Sequence, residues 1–329
     1  MVGKKIIIEL TNRCNLACQH CFSSRHGGKA DLPLSVLEQI LTAAKGHGFT
    51  ELSFTGGDPT VYGHLATVLE LTSAAGYRFA INTNGWNFTQ VYPLLVQHRP
   101  ALINITFSLD GATATTHDRL RGAGSWRRVM QAMSICAVKE LPFALNMVIT
   151  TQNQHEVPMM VNLAARLGSC GVRFGHLLAT PATAAQGLDL SLAARRAIEQ
   201  TIFAIAQQTP LPVVMAPGYF THDLFPCAPL NLQEININCA GEMTTCCHLS
   251  GYGANPIRLD VMGDLALIGF DAAYARLQAE NALYRRQKVA QAASDTWCDT
   301  DFFPCLYCMR HYGKVESLEP LRLNENPGA

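Results

Sequence analysis

The chain has no apolar run of the roughly 18–20 residues that a membrane-spanning helix needs. It carries no excess of charge either. Lysine plus arginine and aspartate plus glutamate number 25 each, which argues against a bulk electrostatic attraction to nucleic acid or to a membrane surface. A secretory leader is also missing: the short run Ile6-Ile7-Ile8 follows two lysines, and no small-residue cleavage site comes after it. Internal repeats and low-complexity tracts are absent. The twelve cysteines among 329 residues are too sparse for a small disulfide-stapled secreted fold. They fit a reducing cytoplasm, where clustered cysteines are more often metal ligands than disulfides.

What is present begins with an alternation of segments. Short β-branched or apolar runs at 5–11, 51–55, 78–83, 103–109, 143–149 and 172–177 read as strands buried on both faces. Between them, 33–47, 64–75, 90–98, 126–139 and 157–167 read as helices, with Pro33 opening one and Gly76 and Gly168 as C-terminal caps. Six strands joined by helices imply right-handed crossovers and a parallel sheet. The expected fold is α/β, a partial (β/α)6 barrel of the TIM type. Residues 191–208 read as a further helix with Ser191 as N-cap. Beyond Pro210 the chain is rich in proline, glycine and cysteine with little periodicity. The expected division is a barrel over 1–185, a connecting helix and linker over 186–225, and a small cysteine-rich domain over 226–329.

Chemistry concentrates at the strand ends, where barrel enzymes carry their active sites. The first strand runs into Cys14-Asn-Leu-Ala-Cys18-Gln-His-Cys21, a C-x3-C-x2-C spacing. Three thiolates so close together suit three irons of a cubic iron–sulfur cluster and leave the fourth iron open. The second strand ends in Gly56-Gly57-Asp58-Pro59, the third in Asn82-Thr83-Asn84-Gly85, the fourth in Ser108-Leu109-Asp110-Gly111. Any one of these is an ordinary turn. Four on one face make a binding mouth.

These residues, together with Phe22 after the last cysteine, resemble the radical S-adenosylmethionine (radical SAM) superfamily over roughly residues 5–180. The resemblance implies a four-iron cluster on Cys14, Cys18 and Cys21, with SAM chelating the open iron through its amine and carboxylate. Reductive cleavage of SAM then gives a 5′-deoxyadenosyl radical that abstracts hydrogen from a substrate. It further implies that Gly56, Gly57 and Asp58 hold the SAM amine, with Asp58 a shorter residue than the glutamate more common in the family. Ser108 and Arg121 would meet the SAM carboxylate, with Asp110 in the same segment and Asn84 and Asn146 as weaker contacts. An electron donor such as a flavodoxin or ferredoxin is implied too.

Seven of the twelve cysteines lie between Cys227 and Cys308. Cys227, thirteen residues, Gly241, four residues and Cys246, then Cys305-Leu-Tyr-Cys308, resembles the twitch domain, the shorter relative of the SPASM domain. That implies one auxiliary [4Fe–4S] cluster on Cys227, Cys246, Cys305 and Cys308, and a four-cysteine zinc site is the rival. Cys239, Cys247 and Cys298 remain as hydrogen-atom donors to a substrate radical, as alternative ligands, or as spare thiols. Cys136 and Cys170 read as structural. The resemblance points to modification of a ribosomally made peptide by crosslinking, epimerisation or oxidation. The alternative is dehydrogenation or rearrangement of a small molecule such as an aminoglycoside or a cofactor precursor. Residues 1–4 leave no room for an N-terminal leader-peptide module, so a separate peptide-recognition protein is an expected partner. A metal-binding module without turnover is disfavoured, because such a carrier needs no Gly-Gly-Asp pocket.

Overall fold

In the computed structural model, which describes residues 3–22, 29–252, 258–294 and 296–315, the alternation becomes a mostly parallel sheet. The six expected strands are β1 Lys4–Thr11, β2 Phe49–Gly56, β3 Arg78–Thr83, β4 Leu102–Ser108, β5 Phe143–Ile149 and β6 Val172–His176. They are joined by helices α1 Leu34–Ala43, α2 Leu65–Ala74, α3 Phe88–Gln97, α4 Ala114–Arg121, α5 Ser125–Lys139 and α6 Val157–Arg166. Gly76 and Gly168 take positive φ of 70° and 71° just past their helices, the left-handed cap that glycine adopts without strain. The short α7 Pro181–Ala185 leads to α8 Leu192–Gln208, whose Ser191 side chain accepts a hydrogen bond from the Ala194 N–H at 3.2 Å.

The sheet extends beyond the six strands. On one side β7 Val213–Met215 pairs in parallel with β6; on the other β8 Glu234–Ile237 pairs in parallel with β1. An antiparallel ladder of β9 Glu242–Thr244 and β10 Val261–Asp264 continues from β8, so the order is β10-β9-β8-β1-β2-β3-β4-β5-β6-β7. Helix α9 Leu265–Ala292, broken at Gly269 (φ 79°), packs against α1 and closes over Phe49 with Phe270 and Tyr274. Helix α10 Pro304–His311 ends the described structure. The cysteine-rich stretch thus contains strands and a long helix where periodicity was not visible. Strands of three or four residues carry too little pattern to be read, and form because a neighbouring edge supplies their hydrogen bonds. The outermost residues of the expected domains, 1–2 and 316–329, lie outside the described residues.

The expectation of strands buried on both faces needs correction. In β1, Ile6, Ile8 and Leu10 are fully buried, while Lys5, Ile7 and Glu9 between them are half-exposed. β5 repeats the alternation with Phe143, Leu145, Met147 and Ile149 buried. One face packs on the helices in a single core; the other lines a concavity. No strand pair among the described residues joins β7 to β8, so the sheet is not closed by hydrogen bonds on that side.

Candidate active site

The first three cysteines follow β1 at its C-terminal end, half-buried and outside any disulfide. Their loop is pinned from several sides. The Asn12 N–H donates to Ala30 O at 3.0 Å and the Gln19 N–H to Leu120 O at 2.9 Å, while Arg13 pairs with Asp31 at 2.5 Å. The β2 loop presses on it directly: the Gly57 N–H donates to Thr11 O at 2.7 Å and the Asp58 N–H to Arg13 O at 2.9 Å. A Cβ on Gly56 would stand 2.2 Å from Thr11 O, and one on Gly57 2.0 Å from Arg13 O. No real Cβ comes so close, so both glycines are required by the approach of two backbones.

The Asp58 side chain turns inward. Its carboxylate is buried and accepts from the Thr60 N–H at 2.9 Å, the Thr83 hydroxyl at 2.9 Å and the Asn84 N–H at 2.8 Å. Burial pushes its pKa up, and these donors oppose the rise. The carboxylate thus ties the β2 loop to the end of β3. Asn84 instead turns to the cysteine loop, donating to Asn15 Oδ1 at 2.8 Å with Cys14 Sγ at 3.8 Å.

Asp110 is fully buried and also serves the protein itself. It pairs with Arg121 Nε and with His20 Nε2 at 3.0 Å, and it accepts from the Val148 N–H at 2.8 Å. Burial alone would raise its pKa; the charge of Arg121 and the His20 contact outweigh this and hold it well below the usual carboxylate range. His20, inside the C-x3-C-x2-C loop, went unread in the sequence, since one histidine between cysteines has no spacing signal. Arg121 places Nη1 3.9 Å from Cys18 Sγ. Burial raises the pKa of Cys18, and the guanidinium works against that rise. Behind Asp110, the His117 Nδ1 accepts from the Asp110 N–H at 3.1 Å, and burial lowers the His117 pKa to about 4.

Ser108 and Asn146 stand opposite each other on β4 and β5, and Asn146 stands opposite Arg173 on β6. These three form one polar row across the inner face. Arg173, which no local sequence pattern marks, is exposed and makes no ion pair among the described residues.

The second cysteine group assembles around an aromatic core of Tyr252, Tyr284, Phe303, Tyr307 and Tyr312. Gly241, with φ 82°, is the turn between β8 and β9, and the ladder delivers Cys246 just past β9. Cys305 and Cys308 lie three apart on α10, hence on one helix face. Gly218 leaves room for the Cys305 sulfur, which a Cβ would approach to 2.9 Å. Cys227 packs at the same core with Cys246, Cys305 and Cys308. The Tyr284 hydroxyl lies 3.2 Å from Cys308 Sγ. Burial pushes the Cys227 thiol up to about 12 and raises Cys305 and Cys308, while Cys246 is raised first by its hydrogen bond to Cys247 and then by burial. Without a metal these thiols stay protonated, so a metal that binds them must release protons. Phe22 joins the two groups: it packs into this core with its ring 6.2 Å from that of His248, edge-on.

The three remaining candidates separate. Cys239 is buried in the turn after β8. Cys247 is half-buried beside Cys246. Cys298 is exposed, with its sulfur 3.1 Å from the Thr300 hydroxyl and 3.6 Å from Arg310, contacts that lower its pKa against the effect of burial.

Residues 8–164 match the radical SAM superfamily model. The AdoMet-dependent heme synthase of Nitratidesulfovibrio vulgaris is 26% identical over 227 residues, 66% of this chain and 60% of that protein. The mycofactocin maturase MftC of Mycobacterium tuberculosis is 30% identical over 167 residues, 49% of this chain and 41% of that protein. The chain thus spans less than two thirds of the length of these relatives. A structure of native anSMEcpe with bound AdoMet and Kp18Cys peptide superposes with a TM-score of 0.66 at 15% identity, covering 97% of both chains. That likeness shows the α/β fold with its mostly parallel sheet. No helix among the described residues is long and apolar enough to cross a membrane. The match to the radical SAM superfamily model thus covers a little under half of the chain, from the middle of β1 to α6.

Proposed function

We propose that this protein is a two-cluster radical SAM enzyme that modifies a peptide. The observation that carries the reading is the bridge made by Phe22, which follows Cys21 directly and packs against the same aromatic core as Cys227, Cys246, Cys305 and Cys308. One cysteine group would generate the reactive species and the other would lie toward the substrate, with the polar inner face of the sheet between the strand ends.

Cys14, Cys18 and Cys21 hold the first cluster. The loop fits one: its donor set is all thiol, and Asn15 Nδ2 and His20 Nδ1 are buried there with no partner among the described residues. When bound, cluster and SAM supply a 5′-deoxyadenosyl radical that takes a hydrogen atom from the substrate. The chain's own residues position and insulate. Gly56 and Gly57 let the β2 loop lie against the cysteine loop, and Asp58 braces that loop against β3. Arg121, steadied by Asp110 and His20, offsets thiolate charge at Cys18. Ser108, Asn146 and Arg173 present the inner-face groups free to meet the SAM carboxylate or the substrate. Cys227, Cys246, Cys305 and Cys308 hold one auxiliary [4Fe–4S] cluster, and the boundaries of 1–185, 186–225 and 226–329 mark barrel, connector and auxiliary region. The peptide class is supported by the maturase relative and by the peptide-bound structural neighbour. The setting is a reducing cytoplasm, with a flavodoxin or ferredoxin as electron donor and a separate peptide-recognition protein as partner.

A second reading, a small-molecule substrate such as a heme precursor, is favoured by the relative with the longer match, a heme synthase. Anaerobic incubation of reconstituted protein with SAM, dithionite and candidate precursor peptides, read by mass spectrometry, separates the two. A peptide that loses two hydrogens, or gains one mass unit only in deuterium oxide, supports peptide modification. SAM cleavage that depends on a small molecule and not on any peptide supports the second reading. Failure to cleave SAM under strong reductant overturns both.

A further inference from the structure

Lys288, near the end of α9, is only 1% exposed. Lysine is almost never buried to this degree without a partner, yet no carboxylate pairs with it among the described residues. Its ammonium lies 4.7 Å from the Tyr307 ring centre and 5.8 Å from that of Tyr284. Cation–π attraction offsets only part of the loss of hydration that an ammonium suffers. Burial works against its charge, and the hydroxyl of the Tyr284 whose ring it faces lies 3.2 Å from Cys308 Sγ. Tyr284 and Tyr307 belong to the aromatic core against which Cys227, Cys305 and Cys308 pack. Glu280, the carboxylate one turn beyond Tyr284, acts on His311 and Tyr312 instead.

Four thiolates around an iron–sulfur cluster would give this lysine a counter-charge, because such an assembly is negative in both redox states.

We infer that Lys288 is a positioning residue for the auxiliary cluster: its buried ammonium, held against the aromatic core where Cys227, Cys305 and Cys308 pack and in no ion pair among the described residues, offsets the cluster's charge and raises its reduction potential. A nearby cation favours the more negative, reduced form, and net charge at the sulfurs is one of the quantities that set such potentials. The inference rests on the reading of these cysteines as cluster ligands.

The test uses protein in which Cys14, Cys18 and Cys21 are replaced by alanine, so that only auxiliary iron remains. Iron and sulfide are counted, and the cluster is titrated with dithionite while its reduced signal is followed by electron paramagnetic resonance. In this background Lys288→Met keeps its iron and shifts reduction against the cluster by tenfold or more, which is about 59 mV for a one-electron couple. Lys288→Arg keeps both iron and potential. Loss of iron in the methionine variant with retention in the arginine variant supports the same role. An unmoved potential in Lys288→Met with iron retained overturns the inference and leaves the auxiliary cluster standing. Loss of iron in both variants also overturns it, because the role would then be one of shape. No iron in the parent background overturns the cluster reading itself, and the inference with it.

Discussion

Removing Arg121 tests whether the charge cluster beneath the first cysteine loop is arranged as described. Arg121→Met keeps most of the volume and takes away the cation facing a fully buried Asp110. Deleting one partner of a buried ion pair costs about 3–5 kcal/mol, because the other charge is left without compensation. His20 and the Val148 N–H still face Asp110, which places the expected loss near about 3 kcal/mol at pH 7. Asp110 escapes part of the cost by taking a proton, at about 1.4 kcal/mol for each pH unit between the solution and its new pKa. The penalty must therefore shrink as the pH falls. In the parent, the depressed pKa of Asp110 gives stability that is present above the unfolded carboxylate value of about 4 and lost as pH drops below it. The assay is urea unfolding of iron-free protein for the parent, Arg121→Met, Asp110→Asn and the double variant. The double variant should cost less than the sum of the singles by about 2 kcal/mol, since a neutral asparagine beside methionine orphans no charge. A loss under about 1 kcal/mol, additivity within error, or a penalty that grows in acid would refute the reasoning.

Gly57→Ala should cost at least about 3 kcal/mol as an overpacking change against rigid backbone and strip iron from the first cysteine group; unfolding midpoints and iron counts check it. His117 is held neutral by burial, with its pKa lowered to about 4. Because the unfolded chain binds that proton at about 6.5, this histidine makes stability fall as pH drops from about 6.5 to 4, by about 3 kcal/mol in all, with no further change below. His117→Gln should flatten that window, as seen by unfolding at a series of pH values. Tyr284→Phe removes the hydroxyl at Cys308. It should cost about 1 kcal/mol of stability and lower the auxiliary cluster's potential, read by the same dithionite titration. Replacing Cys14, Cys18 and Cys21 by alanine should leave about four irons per chain; about eight would mean two auxiliary clusters.

The six strands and the helices over residues 4–176, apart from α4 Ala114–Arg121, were legible because each carries its own periodicity and its own stop signal. Gly76 and Gly168 sit where a left-handed cap is needed, and Ser191 caps α8 as its residue type dictates. The cysteine spacing was legible for a related reason: three ligands of one cluster have to lie close along the chain when they share a single loop. The roles of individual polar groups were harder to read. Asp58 and Asp110 look alike in sequence to residues that meet a ligand, yet each is buried and spent on donors brought in from β3, β5 and α4. Arg173 and His20 carry no local pattern at all.

By itself, then, the sequence determined the alternating sheet-and-helix half of the molecule, the cysteine triplet at the end of β1, and the glycines that must follow β2. These are statements about neighbours along the chain, set by φ preference, side-chain period and ligand spacing. Only the tertiary structure decided that β8 adds to β1, that Phe22 reaches the second cysteine group, that α10 turns Cys305 and Cys308 to one side, and that Lys288 is enclosed beside them. Each of those depends on contacts between segments far apart in sequence. Burial and charge compensation at such contacts are properties of the packed surface, and no single segment encodes them.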